Sequence, residues 1–310
     1  MSEIEVISTN ISEQKGTVKR PVEQVTVDQH GFVGDAHAGP WHRQVSILSA
    51  ESIQWFKRRA DIDISPGEFA ENLTIRGADL CAASILDRFN IGTVALEVTQ
   101  IGKECHGDDC AIFQKVGKCV MPTEGLFCRV LRGGLIHPGD TGEYLPKTLD
   151  IRVITLSDRA AKGEYSDESG PRIRDLLHQH FEETRWRIDV QISILPDEAR
   201  ELEWTLHELR NERADIIITT GGTGVGPRDI TPDVVRRICD RTVPGIMEMI
   251  RVKYGAENPN ALLSRSLAGV AGDMLIYALP GSVKAVEEYM AEILLTLEHM
   301  MLTAKGLDVH

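Results

Sequence analysis

No run of 18 apolar residues occurs in the chain, so no helix able to span a bilayer is expected. The opening decapeptide MSEIEVISTN lacks the basic-then-apolar order of a secretory signal, and a cytoplasmic location is the expectation. Positive charge is in deficit: 34 Lys and Arg stand against 47 Asp and Glu, a net charge of −13. The deficit is general, with 15 basic and 20 acidic residues through Thr148 and 19 and 27 after it. Acidity in both halves argues against nucleic acid as the main partner, and an anionic ligand would need a local basic or backbone-amide pocket. Cysteines are few. The six, at 81, 105, 110, 119, 128 and 239, read in a cytoplasmic chain as free thiols, metal ligands or nucleophiles before disulfides. Internal repeats and low-complexity tracts are also missing.

At 310 residues, 42% of them hydrophobic, the chain is long enough for two domains with real cores. Five of the six cysteines lie in the first half, which suggests that the halves do different chemistry. From Glu3 to Tyr144, short apolar runs such as RQVSIL (43–48), ENLTIRG (71–77), TVALEVTQIG (93–102) and GLFCRVLRGG (125–134) are separated by Gly, Pro, Asn and Asp. Frequent turns of this kind predict a β-rich, barrel-like domain, with a helix over 49–59 capped by Ser49. From Leu149 strands alternate with amphipathic helices: IRVITLSD, then Asp167–Thr184; RIDVQISIL, then Glu198–Glu212; DIIITTGG, then Thr231–Asp240 and Pro244–Tyr254; MLIYALPG, then Val283–Ala304. This alternation predicts a three-layer α/β domain with a mostly parallel sheet. The proline-bearing GEYLPKTLD (142–150) places the boundary between domains 1–147 and 148–310.

In an open α/β sheet, ligands bind beyond the carboxyl ends of the strands. Those ends read LSDR (156–159), LPDE (195–198), TTGGTG (219–224) and LPGS (279–282). The stretch TTGGTGVGPRDITPD (219–233) is neither a Walker loop nor a dinucleotide fingerprint, because no Gly-Lys-Ser/Thr follows and Pro227 stands where a third glycine would be needed. Gly221, Gly222 and Gly224 would still let backbone N–H groups approach an anion. Thr231-Pro232 reads as an N-cap followed by proline at the first helical position, with the helix dipole behind it. A glycine-rich turn that merely reverses the chain is the simpler alternative. Asp197 alone could cap the helix after it, and Asp229 alone could be a solvated turn residue. Two carboxylates beside a phosphate cradle would repel the ligand unless a cation intervened, and Mg²⁺ favours carboxylates, water and substrate phosphate. The residues therefore point to Mg²⁺–nucleotide chemistry.

The second half, from about Ile151 to Met301, resembles the molybdopterin adenylyltransferase family (MogA/MoaB-like domains of molybdenum cofactor biosynthesis). The resemblance is carried by LSDRAAKGEYSDESG (156–170), LPDE, TTGGTGVGPRDITPD, PGIMEMIR (244–251), LSRSLAGV (263–270) and LPGSVKAVEE (279–288), in that order. It implies a nucleotidyltransferase, independent of pyridoxal phosphate, whose substrates are ATP and molybdopterin. The terminal phosphate of molybdopterin would attack the α-phosphate of Mg²⁺-ATP and release pyrophosphate. Asp197 and Asp229 fall on the family's catalytic, Mg²⁺-holding positions. Gly221, Gly222, Thr223 and Gly224 match the phosphate loop, and Ser157 and Asp158 join them as binding candidates. Asp233 lies near, at the helix start. Ser282 matches a loop near the pterin, where some relatives carry Asn-Pro. A phosphate monoester is already largely ionised at neutral pH, its second pKa being about 6, so it needs no general base. Positioning and charge neutralisation would suffice, with Arg228 as one source of charge.

The first half, roughly Gly16 to Tyr144, resembles the MOSC domain family, related to the C-terminal part of molybdenum cofactor sulfurases. GFVGDAHAGPWHRQVSIL (31–48), GEFAENLT (67–74), VALEVTQIGKEC (94–105) and GLFCRVLRGGLIHPGD (125–140) carry this likeness. Cys105 ends an apolar strand beside Lys103 and His106, whose charge would favour a thiolate. The resemblance implies that it binds molybdenum or carries sulfur; a small buried thiol is the alternative. Cys110 and Cys119 are weaker candidates, and Cys128 reads as core. The intervals between these four do not match a zinc knuckle. His37 and His42 read as loop hydrogen-bonding residues, and Arg43 and Arg129 as candidates for the cofactor's phosphate. The chain as a whole is expected to adenylylate molybdopterin and to bind or sulfurate the cofactor. The expected assembly is a homotrimer through the second half, with other cofactor-biosynthesis proteins as partners. Three alternatives stand beside this: a non-catalytic molybdopterin carrier or scaffold, a MOSC half that reduces N-hydroxylated compounds, and a nucleotide hydrolase.

Overall fold

A computed structural model describes residues 2–61, 63–103 and 120–307. They fall into two units, Met1–Lys147 and Thr148–His310. No helix among the described residues is long and apolar enough to cross a membrane.

The strands of the first unit are β1 (Ser2–Ile11), β2 (Arg20–Val22), β3 (Val25–Asp28), β4 (Gly31–Phe32), β5 (Val45–Ser49), β6 (Leu73–Arg76), β7 (Arg88–Ile91), β8 (Val94–Ile101), β9 (Leu126–Arg132), β10 (Gly134–Ile136) and β11 (Thr141–Leu145). Seven pair in the order β1-β6-β5-β9-β8-β7-β11, and β11 returns to β1 to close a barrel. Closure satisfies the edge hydrogen bonds that an open sheet would leave exposed. Only β5 and β6 run parallel, because α1 (Ala50–Ala60) and the loop after it lie between them. Ser49 caps α1, its hydroxyl accepting from Ser52 N, as its position in the sequence predicts. Val6, Ile47, Leu73, Phe89, Leu96 and Leu126 belong to the core. A smaller cluster joins Ile53 and Phe56 of α1 to Phe69 and to Met121 of α2 (Met121–Glu124). Cys128 is completely buried, as its apolar neighbours predict, and burial pushes its thiol well above the usual range.

The second unit contains β12 (Thr148–Leu156), α3 (Asp158–Ala161), α4 (Ser169–Phe181), β13 (Arg187–Leu195), α5 (Ala199–Asn211), β14 (Ile216–Thr220), α6 (Thr231–Ile238), β15 (Arg241–Thr242), α7 (Pro244–Gly255), β16 (Leu267–Ala271), β17 (Met274–Leu279) and α8 (Val283–Ala304). The sheet order is β13-β12-β14-β17-β16-β15. Leu202, Leu206 and Leu209 of α5 and Val234, Val235 and Ile238 of α6 pack on one face, against Ile154, Ile217 and Ile276. Helices α4 and α8 pack together and against β12, β13 and β17. The near-continuous apolar strands IIITT and MLIYAL are buried throughout, as a sheet covered by helices requires.

Three of the five pairings in this sheet are parallel, and its far edge is not. The β12–β13, β12–β14 and β14–β17 pairings are parallel, but β16 and β15 are antiparallel, so the sheet is mixed. The cause is a hairpin: only Gly272 and Asp273 separate β16 from β17, and Gly272 takes φ +68°, so no helical crossover intervenes.

Candidate functional sites

Parallel register brings the carboxyl ends of three strands level. Leu156 of β12 pairs with Leu195 of β13, and Thr155 with Thr220 of β14. From β12 the chain crosses to β13 on one side and then to β14 on the other, which opens a crevice above the point of reversal. A cavity of about 280 Å³ lies there. Ser157, Asp158, Asp197, Gly222, Arg228 and Asp229 line it, with Leu156 and Arg159. Six of the residues singled out from sequence thus meet in one place: Ser157, Asp158, Asp197, Gly222, Arg228 and Asp229. Gly221, Thr223, Gly224 and Ser282 are not among the lining residues.

Each side chain is held by an identifiable contact. Asp158 and Asp197 are bonded reciprocally: Asp158 N donates to Asp197 Oδ2 (3.2 Å), and Asp197 N to Asp158 Oδ1 (3.1 Å). Asp197 is therefore not a helix cap; α5 begins at Ala199 with no side-chain cap, and the Asp197 carboxylate faces the β12 turn instead. Arg228 crosses to Asp158 and pairs with its second oxygen. Ser157 caps α3 by accepting from Ala160 N (3.2 Å). Asp229 closes a tight turn, accepting from Gly226 N at 2.7 Å. Its carboxylate lies against Gly224, where a Cβ would stand 2.7 Å from Oδ2, so a side chain there would displace the acid. Gly221 has φ +102°, and a Cβ would meet the Leu156 carbonyl at 2.4 Å. Only glycine fits where the loop leaves β14.

One expectation at this loop is corrected. Thr231 does not act as an N-cap: α6 already begins at Thr231, and its buried hydroxyl donates to Gly221 O (2.9 Å). The side chain ties the glycine loop to the helix rather than satisfying a helix amide. Ser282 caps α8, its hydroxyl accepting from Ala285 N, and is exposed there. Sequence reasoning gave no role to Arg159 or Arg265. Arg265 bonds the glycine loop from outside the cavity, through Thr223 O, Gly224 O and Asp229 O. The LSRSLAGV motif was the available signal, but spacing alone does not say which loop an arginine will meet.

Among the described residues no group of three or more His, Cys, Asp and Glu is arranged to hold a metal. Asp197 Oδ1 and Asp229 Oδ1 take no hydrogen bond from the described residues, whereas both Asp158 oxygens are engaged. Two hard oxygen donors completed by water and substrate phosphate form the donor set that Mg²⁺ prefers.

The first unit concentrates buried polar groups. Lys19 and Asp35 form an ion pair in which each side chain is 1% exposed, and Lys19 Nζ also lies 3.3 Å from His37 Nδ1. Asp35 further accepts from Ser12 N and His37 N. Glu71 is fully buried; Oε1 accepts from Gly67 N and Thr74 Oγ1, while Oε2 has no partner. Burial pushes its carboxyl above the usual range. A raised carboxyl pKa favours the protonated fold, so stability falls as pH climbs from the ordinary carboxylate value towards the folded one. Glu71→Gln is expected to remove that fall and to gain on the order of 1 kcal/mol at pH 8. Urea melts of both proteins from pH 5 to 8 check this, and parallel curves would contradict it.

Arg43 stacks on Trp41, 4.7 Å from ring centre to guanidinium carbon, and its buried Nε has no hydrogen-bond partner. Arg129, in contrast, is drawn to the buried Glu97 (2.9 and 2.6 Å). Cys105, with Cys110 and Cys119, lies outside the described residues.

Both halves of the chain match known families. Residues 152–299 match the family model described as "Probable molybdopterin binding domain", and residues 34–143 match the MOSC domain. A molybdopterin adenylyltransferase of Helicobacter pylori (strain J99) is 35% identical over 148 residues, covering 47% of this chain and 82% of that protein. The Escherichia coli K12 molybdopterin adenylyltransferase is 35% identical over 142 residues, 46% of this chain and 71% of that protein. The molybdenum cofactor synthesis protein cinnamon of Drosophila melanogaster is 36% identical over 154 residues, 49% of this chain but 25% of that protein. The chain therefore belongs to the molybdopterin adenylyltransferase family, and it carries a MOSC domain ahead of the molybdopterin-binding one.

Proposed function

We propose that the second unit adenylylates molybdopterin. A terminal phosphate oxygen of molybdopterin attacks the α-phosphorus of ATP, the bond to the β-phosphate bridging oxygen breaks, and pyrophosphate leaves. The observation that carries this reading is the meeting of Asp197, Asp229 and Gly222 in one cavity at the carboxyl ends of parallel strands. No residue has to remove a proton, because the attacking phosphate is ionised at neutral pH. The work left to the protein is alignment and neutralisation of charge. Asp197 and Asp229 would hold Mg²⁺ through their open oxygens, and the ion, when bound, offsets the repulsion between the phosphates. Arg228 and Arg159 stand at the cavity wall, where an anion would compete with Asp158 for Arg228. The MOSC unit is read as binding or sulfurating the same cofactor. Arg43, with its unpartnered Nε, supports a role toward the phosphate; for Cys105 the support is the sequence resemblance.

Incubation of the full chain with molybdopterin, Mg²⁺ and α-labelled ATP tests the reaction. Adenylyl-molybdopterin and pyrophosphate in equal amounts are expected. AMP released without pterin would make the unit a hydrolase, and pterin binding with no turnover would make it a carrier; either result would overturn the assignment.

A further inference from the structure

We propose that Arg265 is a positioning residue that sets the glycine loop as an anion cradle from behind. The inference rests on reading that loop as a phosphate site. Arg265 does not line the cavity. Its backbone N donates to Thr223 O (2.8 Å), Nε to Gly224 O (2.7 Å) and Nη2 to Asp229 O, while Nη1 takes both oxygens of Asp233 (3.1 and 2.9 Å). One residue thus grips three carbonyls of the 223–229 loop and the first turn of α6. In a planar trans peptide the carbonyl and the following N–H point in opposite directions. Holding Thr223 O and Gly224 O therefore turns the N–H groups of Gly224 and Val225 away from Arg265, and neither has a backbone acceptor among the described residues. Two successive amides facing one way form the nest that receives an anion. The grip on Asp229 O fixes the residue whose carboxylate faces the cavity. A guanidinium suits this task because its rigid planar fork spreads its donors toward acceptors on separate segments, which a compact ammonium does not.

The test compares wild type, R265A and R265K as full chains, by calorimetry with inorganic pyrophosphate and Mg²⁺ and by turnover with molybdopterin and ATP. R265A is expected to bind pyrophosphate at least tenfold more weakly and to lose at least a hundredfold in kcat/KM, with KM for ATP raised and kcat lowered. R265K should fall between the two. The side chain is 37% exposed, so added guanidinium should reach the gap and restore R265A turnover at least tenfold while its circular dichroism stays unchanged. R265A within twofold of wild type in both assays would overturn the proposal, as would a loss that guanidinium does not restore. Should R265A not fold, wild-type pyrophosphate binding by R265K would overturn it, and a fivefold loss would support it. If wild type binds pyrophosphate but does not adenylylate, the proposed reaction fails while the affinities still decide Arg265. If wild type binds no pyrophosphate, both fall.

Discussion

Asp229→Ala is expected to cut pyrophosphate release by a factor of about 10²–10³, the typical loss when a preorganised electrostatic group is removed, and to leave the second unit folded. The structural cost is small because the half-buried carboxylate makes one protein hydrogen bond, to Gly226 N. Losing that bond costs about 1 kcal/mol. The remaining ties of the loop do not involve this side chain: Thr231 Oγ1 still holds Gly221 O, and Arg265 still holds Thr223 O, Gly224 O and Asp229 O. Activity and fold are therefore separable at this position. Asp229→Asn should retain the turn but not the charge, and should be nearly as inactive. Initial rates of pyrophosphate release, read beside far-ultraviolet circular dichroism, check both statements. Near-normal turnover of either folded variant would refute the role given to Asp229.

Asp35→Ala is expected to destabilise the first unit by about 3–5 kcal/mol, the usual result of stripping a buried charge of its partner. Lys19 Nζ, 1% exposed, would keep only His37 Nδ1, and the amides of Ser12 and His37 would lose their acceptor. Burial raises the Asp35 carboxyl, but hydrogen bonds from His37 and Lys19 outweigh it and hold the group well below the usual carboxylate range. For Lys19 burial prevails and lowers the ammonium in spite of Asp35. The two directions differ because Asp35 gathers several donors while Lys19 bears the cost of burial with Asp35 as its charged partner. A depressed carboxyl pKa contributes stability that is present above the ordinary carboxylate value and lost as pH falls towards the folded one. The difference between wild type and Asp35→Ala should therefore shrink below about pH 4, where an ordinary Asp carboxyl begins to protonate. Hydrogen exchange of the barrel amides, followed by mass spectrometry, reads the first unit separately from the second. Protection unchanged in Asp35→Ala would contradict the prediction. Replacing both members, Lys19→Met with Asp35→Ala, should cost less than the single change.

Much of the second unit was legible because its elements are long and their periods differ. Val283–Ala304 repeats its apolar residues at helical spacing, and Ile216–Ile218 is a β-branched apolar run that leads into Thr219 and Thr220, so each admits one reading. LAGVA and MLIYAL are both buried strands, and nothing in their composition says that two residues turn the chain between them and make the edge antiparallel. Thr231 before Pro232 carries the usual signature of a cap. Its hydroxyl went to Gly221 O because the glycine loop folds back over the helix start, a contact ten residues away in the chain. In the first unit, Ser49 was read correctly as a local cap. Lys19 and Asp35, 16 residues apart, and Glu71 and Thr74 beside them look like ordinary surface residues in the sequence.

The chain's own order of residues determined the β-rich first half, the strand–helix alternation of the second, and the small and acidic residues that follow each strand end. These depend on local periodicity and turn chemistry, which act within a few residues. Tertiary structure alone decided that Asp158 pairs with Asp197 and Arg228, that Arg265 grips the loop carrying Asp229, and that β11 returns to β1 to close the barrel. Such contacts depend on register and packing between distant segments, and a hydrogen bond's partner is chosen by what the fold brings within about 3 Å, not by its neighbours in the chain.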